Sequence, residues 1–137
     1  MRLYKTSEYA IRVLVYLANH KDGLHSTNKL HKLLNIPYKY LGRLMSKLAA
    51  AGFIESVQGK VGGYRLILDE KSIYLYQIVD IVEGMETADR CILGFDSCSD
   101  SNPCSLHKYW APLRESINGM YYNVSLADLA NDPNIRY

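Results

Sequence analysis

The 137-residue chain lacks the features that would place it in most functional classes. No apolar run approaches the ~20 residues that a bilayer span requires, so no membrane partner is expected. Met1-Arg2-Leu3-Tyr4-Lys5 leads directly into an amphipathic pattern rather than the apolar run of a signal peptide, which predicts a cytoplasmic location. There is no G-x-x-x-x-G-K-[ST], no other nucleotide fingerprint, no C-x-x-C, and no Ser or Cys paired in sequence with a base. These absences argue against an enzyme, a thiol oxidoreductase included. Internal repeats and low-complexity tracts are missing too. Acidic residues are scarce in the first half: residues 1–65 carry 11 Lys and Arg against 3 Asp and Glu, whereas residues 66–137 carry 5 against 11. The basic half suits a polyanion, and a merely solvated basic face is the alternative.

Cysteine is also sparse, and all of it is in one place. Cys91, Cys98 and Cys104, with His107, form the pattern C-x6-C-x5-C-x2-H. Three thiols do not close a disulfide framework, and a cytoplasmic chain keeps its thiols reduced. Thiolate and imidazole are ligands that suit zinc or an iron–sulfur cluster, each of which takes four ligands. The three cysteines supply three. His107, three positions beyond Cys104 on the first turn of a predicted helix, is the simplest fourth. Residues 85–102, rich in Ser, Asp, Gly and Asn, make an unusually long structureless loop, and ligation would order it.

The preceding residues read as helices and a hairpin. Thr6 or Ser7 can cap a first helix with Tyr9, Ala10, Val13, Leu14, Leu17 and Ala18 inward, and Gly23 ends that unit. Ser26 precedes a short helix with Leu30, Leu33 and Leu34 on one face. Asn35-Ile36-Pro37 is a turn. Pro37 then opens a third helix with Leu41, Leu44, Met45 and Leu48 inward and Gly52 just past its end. Two short helices joined by a tight turn form a helix-turn-helix. Its second helix carries Tyr38, Tyr40 and the stripe Lys39, Arg43, Lys47, which on that element predicts DNA contact together with Ser26 and Thr27. Phe53–Val57, the turn Gln58-Gly59-Lys60-Val61-Gly62-Gly63 and Tyr64–Leu68 form a β-hairpin. Gln58, Lys60 and Arg65 place polar and basic groups at its tip. The four histidines divide: His107 belongs with the thiols, while His20, His25 and His31 lie in the helix-turn-helix half, with His25 and His31 expected at the surface or near phosphate.

A helix over Ser72–Gly84 has Leu75, Ile78, Val79 and Val82 inward. Asn102-Pro103 opens the last long helix, to about Tyr122. Leu106, Tyr109, Trp110, Leu113, Ile117, Met120 and Tyr121 give it an apolar seam. On a half-site reader such a seam predicts a homodimer that meets a palindromic operator in double-stranded DNA; packing on the chain's own core is the alternative. Ser125 caps a last short turn. The expected fold is mainly α with a small β-hairpin. A winged helix-turn-helix over residues 1–84 is followed, over 85–137, by a cysteine-containing cofactor loop and a long dimerisation helix.

The pattern resembles the Rrf-type family of bacterial winged-helix regulators, which includes IscR-like, NsrR-like and CymR-like proteins. The resemblance rests on Ser7-Glu8-Tyr9-Ala10-Ile11-Arg12, on Tyr40-Leu41 with Leu44, Leu48 and Gly52, and above all on Gly59-Lys60-Val61-Gly62-Gly63-Tyr64-Arg65-Leu66. Val82-Glu83-Gly84 and Ser125-Leu126-Ala127-Asp128-Leu129 also fit. It implies a homodimeric transcription factor, a repressor or activator. Three cysteines in this loop imply the branch that binds an iron–sulfur cluster, 2Fe–2S favoured or 4Fe–4S, and that senses redox, nitric oxide or cluster status. Zinc without redox sensing is the alternative. For the fourth ligand the resemblance offers two schemes: His107, as in IscR-like members, or Glu8 from the partner subunit, as in NsrR-like members. The chain departs from the IscR-like pattern in its first cysteine gap, six residues instead of five. Gly42 stands where an acidic residue is usual and Gln58 where Arg is frequent, which leaves room for a module that kept the fold without DNA binding.

Overall fold

Apolar side chains at helical spacing bury one face of each successive helix in the computed structural model, which describes residues 3–85, 90–132 and 134–137. The elements run α1 (Lys5–Asn19), α2 (Thr27–Leu34), α3 (Tyr38–Ala50), β1 (Ile54–Val57), β2 (Gly63–Leu66), α4 (Leu75–Glu83), α5 (His107–Asn123) and α6 (Leu126–Ala130), with a 3-10 turn at Glu70–Ser72. Fold class is as the sequence predicts: mainly helical with a two-stranded antiparallel hairpin. Residues 86–89, at the start of the expected cysteine loop, lie outside the described residues.

The main core joins α1, α2 and α3 to the hairpin and α4. Val13, Leu14 and Leu17 of α1 meet Leu30, Leu34, Leu41, Leu44, Met45, Leu48, Ile54, Ile78 and Leu126. Ser26 caps α2 by accepting the Lys29 N–H at 3.2 Å. Asn35, in the left-handed conformation with φ +51°, then makes the tight turn into α3. Two expectations are corrected here. Leu33 is 57% exposed, because Leu30 and Leu34 alone fill the inward face of a two-turn helix. His25 is buried: its Nε2–H donates to the His20 carbonyl and its Nδ1 receives Lys29 Nζ. His31, half-buried, turns its Nδ1–H onto the Ile36 carbonyl at 2.6 Å and so ties the helix-turn-helix turn together.

The first helix starts earlier than its side chains suggest. It begins at Lys5 behind Tyr4, which provides no side-chain cap. Ser7, expected as a cap, lies inside the first turn, and its backbone N–H is bonded at 2.8 Å by Glu83 Oε1 from the last residue of α4. The last long helix starts later than expected. Asn102 and Pro103 precede a turn in which His107 N–H reaches the Cys104 carbonyl at 3.0 Å, and the α-helix begins only at His107. Cys104 and His107 therefore do not share a helix face. Pro112 sits inside α5, where it removes the N–H that would bond the Lys108 carbonyl.

A second, smaller core seats α5 on α4 through Leu75, Val79 and Tyr121, with Ile11, Ile117 and Leu129 at its edge. The chain then closes back. Leu75 N–H reaches the Val124 carbonyl and Leu126 N–H the Ile73 carbonyl, and Ser125 and Asp128 form a capping box for α6.

The hairpin's glycines have a steric cause. A Cβ on Gly62 would lie 2.1 Å from the Val57 carbonyl oxygen, and one on Gly63 2.7 Å from the His25 backbone, where His25 and Tyr64 exchange backbone hydrogen bonds. Gly62→Ala and Gly63→Ala should each lower stability by about 1–3 kcal/mol. Gly42→Ala, a helical glycine with open space at its Cβ, should instead raise it by roughly 0.5–1 kcal/mol. Urea unfolding of the three variants checks both signs. Asp128 adds a pH prediction. Hydrogen bonds from the Ser125 hydroxyl and backbone N–H hold its carboxyl below the usual range, so its contribution is present at neutral pH and lost as pH falls through the folded value. The melting temperature of Asp128→Ala should lie below the parent's at pH 7, and the two should converge on acidification.

Candidate functional site

The helix-turn-helix and hairpin present most of the expected DNA-facing residues to solvent. Ser26, Tyr38, Lys39, Tyr40, Arg43, Lys47, Gln58, Lys60 and Arg65 are exposed, and Thr27 is half-buried. Ser26, Thr27, Asn28 and Tyr38 face Ser56–Gly59 and Gly62–Tyr64 across one open cleft of about 340 Å³. The helix-turn-helix and the wing thus form the two walls of one groove. Arg43, Lys47 and Tyr40 line a separate recess with Thr6 of α1. Three of these side chains are already engaged. Lys47 Nζ donates to the Val82 carbonyl at 3.5 Å, Tyr40 shares a short hydrogen bond with Thr6, and Arg65 pairs with Glu55, its cross-strand partner in the hairpin register.

The cysteine segment is organised by turns. Gly94, at φ +82°, returns its N–H to the Cys91 carbonyl at 2.9 Å. This curl aims backbone N–H groups at the Cys91 sulfur. Leu93 N–H is the strongest influence and lowers the thiol's pKa below its ordinary value. Burial opposes it, and the Cys104 thiol and the Phe95 and Gly94 N–H groups add to the lowering. Cys91 Sγ lies 3.5 Å from Cys104 Sγ. Cys98 Sγ lies 3.3 Å from His107 Nδ1, and the far ring nitrogen, Nε2, is 2.7 Å from Asp100 Oδ1. Arg114 of α5 donates to the Cys98 carbonyl at 3.4 Å. The four sequence-predicted ligands therefore stand as two pairs. Among the described residues, no three acidic, cysteine or histidine side chains converge into one metal-holding set.

The donors nonetheless suit a thiophilic centre. Two sulfurs bound to one metal at ~2.3 Å with a tetrahedral angle stand ~3.7 Å apart, close to the Cys91–Cys104 separation. N–H groups pointing at sulfur stabilise thiolate. An imidazole whose second nitrogen meets a carboxylate is the usual dressing of a ligating histidine. Asp100, Arg114 and the Leu93–Phe95 amides were not singled out in the sequence. Only Asp100 carried a signal there, as an acidic residue between two candidate ligands. Glu8, half-exposed on α1, pairs with Lys5 at 3.1 Å.

Along α5 the expected seam divides. Tyr109 is 69% and Leu113 58% exposed, and Leu106 and Met120 are also exposed. Tyr121 is buried against α4 and Ile117 borders the same cluster. Tyr121 thus leaves the exposed seam and serves as the helix's anchor. Trp110 buries its Nε1 donor with no acceptor among the described residues.

Residues 3–132 match the family model Rrf2, described as an iron-dependent transcriptional regulator. The HTH-type transcriptional regulator IscR of Yersinia pseudotuberculosis is 32% identical over 136 residues, covering 98% of this chain and 82% of that one. Among solved structures, CymR of B. subtilis, the global cysteine regulator, superposes with a TM-score of 0.78 at 22% identity over 96% of this chain and 97% of its own. The IscR of T. potens gives 0.74 at 23% identity over 100% and 93%. Both structures share the fold. The family model's match along nearly the whole length and the 32% identical regulator carry the assignment, a transcriptional regulator and not an enzyme: the chain belongs to the Rrf2 family.

Proposed function

We propose that the protein is a cytoplasmic, homodimeric regulator whose affinity for a palindromic operator is set by an iron–sulfur cluster. In this reading Cys91, Cys98, Cys104 and His107 hold the cluster, or Glu8 of a second copy replaces His107. The observation that carries it is the sulfur environment: two thiols 3.5 Å apart, one of them wrapped by three backbone amides. A bound cluster would supply one-electron redox chemistry and sensitivity to oxidants or nitric oxide. The chain's own residues would do the rest. Residues 85–137 form the sensing unit and residues 1–84 the reader. Arg114 and His107 fasten the cysteine segment to α5, so the order of that segment acts on α5. The exposed Leu106, Tyr109, Leu113 and Met120 support a second copy packing on α5. Rotation of that interface would change the spacing of the two α3 helices, which must meet successive major grooves ~34 Å apart.

The Cys98–His107–Asp100 chain supports a second reading, a structural zinc site without redox sensing. Anaerobic purification separates the two. A coloured protein with iron and sulfide in near-equal amounts is expected, whereas a colourless protein with stoichiometric zinc selects the alternative. In the same preparation, His107→Ala should alter the absorption spectrum if His107 ligates; a change confined to Glu8→Ala assigns the cross-subunit scheme. Equal operator affinity of cluster-loaded and metal-free protein would defeat the sensing role.

DNA contact has its own test. Arg43 is exposed at the middle of α3, and Arg43→Ala should weaken binding and flatten the dependence of log K on log salt by about one ion. Arg65→Ala should flatten it less, because its charge is already shared with Glu55. Fluorescence anisotropy across a salt series measures both slopes.

A further inference from the structure

We infer that Cys91 and Cys104 form an intramolecular disulfide when the metal-free chain meets a peroxide, while Cys98 stays a thiol. This is separate from the cluster reading, since it requires only the thiols. All three cysteines are free. The Cys91 and Cys104 sulfurs are already in contact at 3.5 Å, and both residues lie in irregular segments flanked by turns. Closing to a bond of ~2.05 Å needs a shift of roughly 1.5 Å, well within the reach of a side-chain rotation in a loop. Cys98 is held elsewhere. Its sulfur faces His107 Nδ1 and its carbonyl is gripped by Arg114.

Exposure assigns the two roles. Cys104 is half-buried and lines an open cleft of about 270 Å³ with Phe95, Asp96, Ser97, Asn102 and Pro103. Cys91 is 5% exposed. Of the two sulfurs in contact, peroxide therefore reaches Cys104 first. The Cys104 sulfur attacks one peroxide oxygen, the O–O bond breaks, and water leaves as the sulfenic acid forms. The Cys91 sulfur then attacks the Cys104 sulfur, the S–O bond breaks, and a second water leaves as the S–S bond forms. Two electrons pass from the thiol pair to the peroxide. The reaction uses two of the four ligand candidates, so disulfide and metal occupancy exclude one another.

The test uses the full chain, stripped of metal by a chelator without air and then titrated with hydrogen peroxide. Free thiols should fall from three to one, the intact mass should drop by two hydrogens, and peptide mapping should find the Cys91–Cys104 cross-link. Cys98→Ser should give the same cross-link with no thiol left. Cys91→Ser should stop at a Cys104 sulfenic acid that a dimedone-type probe traps, with circular dichroism confirming that each variant is folded. Cross-links that include Cys98 in comparable yield, disulfide-linked dimers, or sulfinic acid without a cross-link would each overturn the inference. Iron and sulfide counts before chelation judge the cluster separately, so the two readings can fail independently.

Discussion

The carboxylate of Glu83 accepts the Ser7 N–H at 2.8 Å, and both halves of the molecule depend on that contact. The first turn of any helix leaves N–H groups unpaired, and Tyr4 offers α1 no local cap. A carboxylate brought from the far end of the fold fills that role, and negative charge at a helix N-terminus is favourable in its own right. Bonds of this charged kind contribute about 1.5–3 kcal/mol. The neighbouring carbonyl, Val82, receives Lys47 from α3. The last turn of α4 therefore joins α1 and α3 at one point. Gly84, at φ +82°, then directs the chain away towards the cysteine segment. Tyr121 of α5 lies close enough to feel the same carboxylate: burial and the Glu83 charge both raise its phenol pKa. Reader, cysteine segment and α5 all depart from one fixed post.

Beyond that post, a different kind of force takes over. Over the described residues 90–106 the cysteine segment is mostly exposed and places no large apolar side chain in either core cluster. Its shape comes from backbone turns and a few polar contacts, and such segments open at little free-energy cost. This suits a ligand-binding element. A metal that gathers the two ligand pairs would supply the cohesion that packing does not, and its loss would return the segment to turn-level stability. The same weakness lets the Cys91 and Cys104 sulfurs meet, so metal binding and thiol oxidation would draw on one local softness.

Most of the fold was legible because apolar spacing decides burial. Leu41, Leu44, Met45 and Leu48 repeat at helical intervals and all are buried. Gly62 and Gly63 marked a turn, although their steric cause, the Val57 carbonyl and the His25 backbone, arises from the fold. Two of the misreadings share a feature: long-range contacts took over a locally suggested role. Thr6 and Ser7 look like caps, but Glu83 does that work from the other end of the chain. His25 looks like a surface residue between Leu24 and Ser26, but its backbone pairing with Tyr64 buries it. Leu33 fits the apolar face of α2, yet eight residues leave room for only two inward leucines. In the site, residue type and clustering named the sulfurs and His107. The division into two pairs was invisible, because a loop has no period from which to read geometry.

The long helix α5 shows how these parts can act together. Its C-terminal half is seated on α4 by Tyr121 and Ile117. Its first turn carries the exposed Tyr109 and meets the Cys98 sulfur through His107. Pro112 follows and deletes one rung of the helical ladder, with the exposed Leu113 and with Arg114, which holds the Cys98 carbonyl, just beyond it. A helix seated at one end and weakened near the other moves most at that free end. That free end is where the thiols attach. A change of order among Cys91, Cys98 and Cys104 therefore acts where α5 resists least, while the anchored end keeps its register on α4 and, through Glu83, on the reader. A signal carried this way needs no distortion of the main core, whose close packing resists small displacements. It needs only that the two arrangements of the cysteine segment place the exposed face of α5 differently, since a ligand can shift an equilibrium only by its differential affinity for the two states.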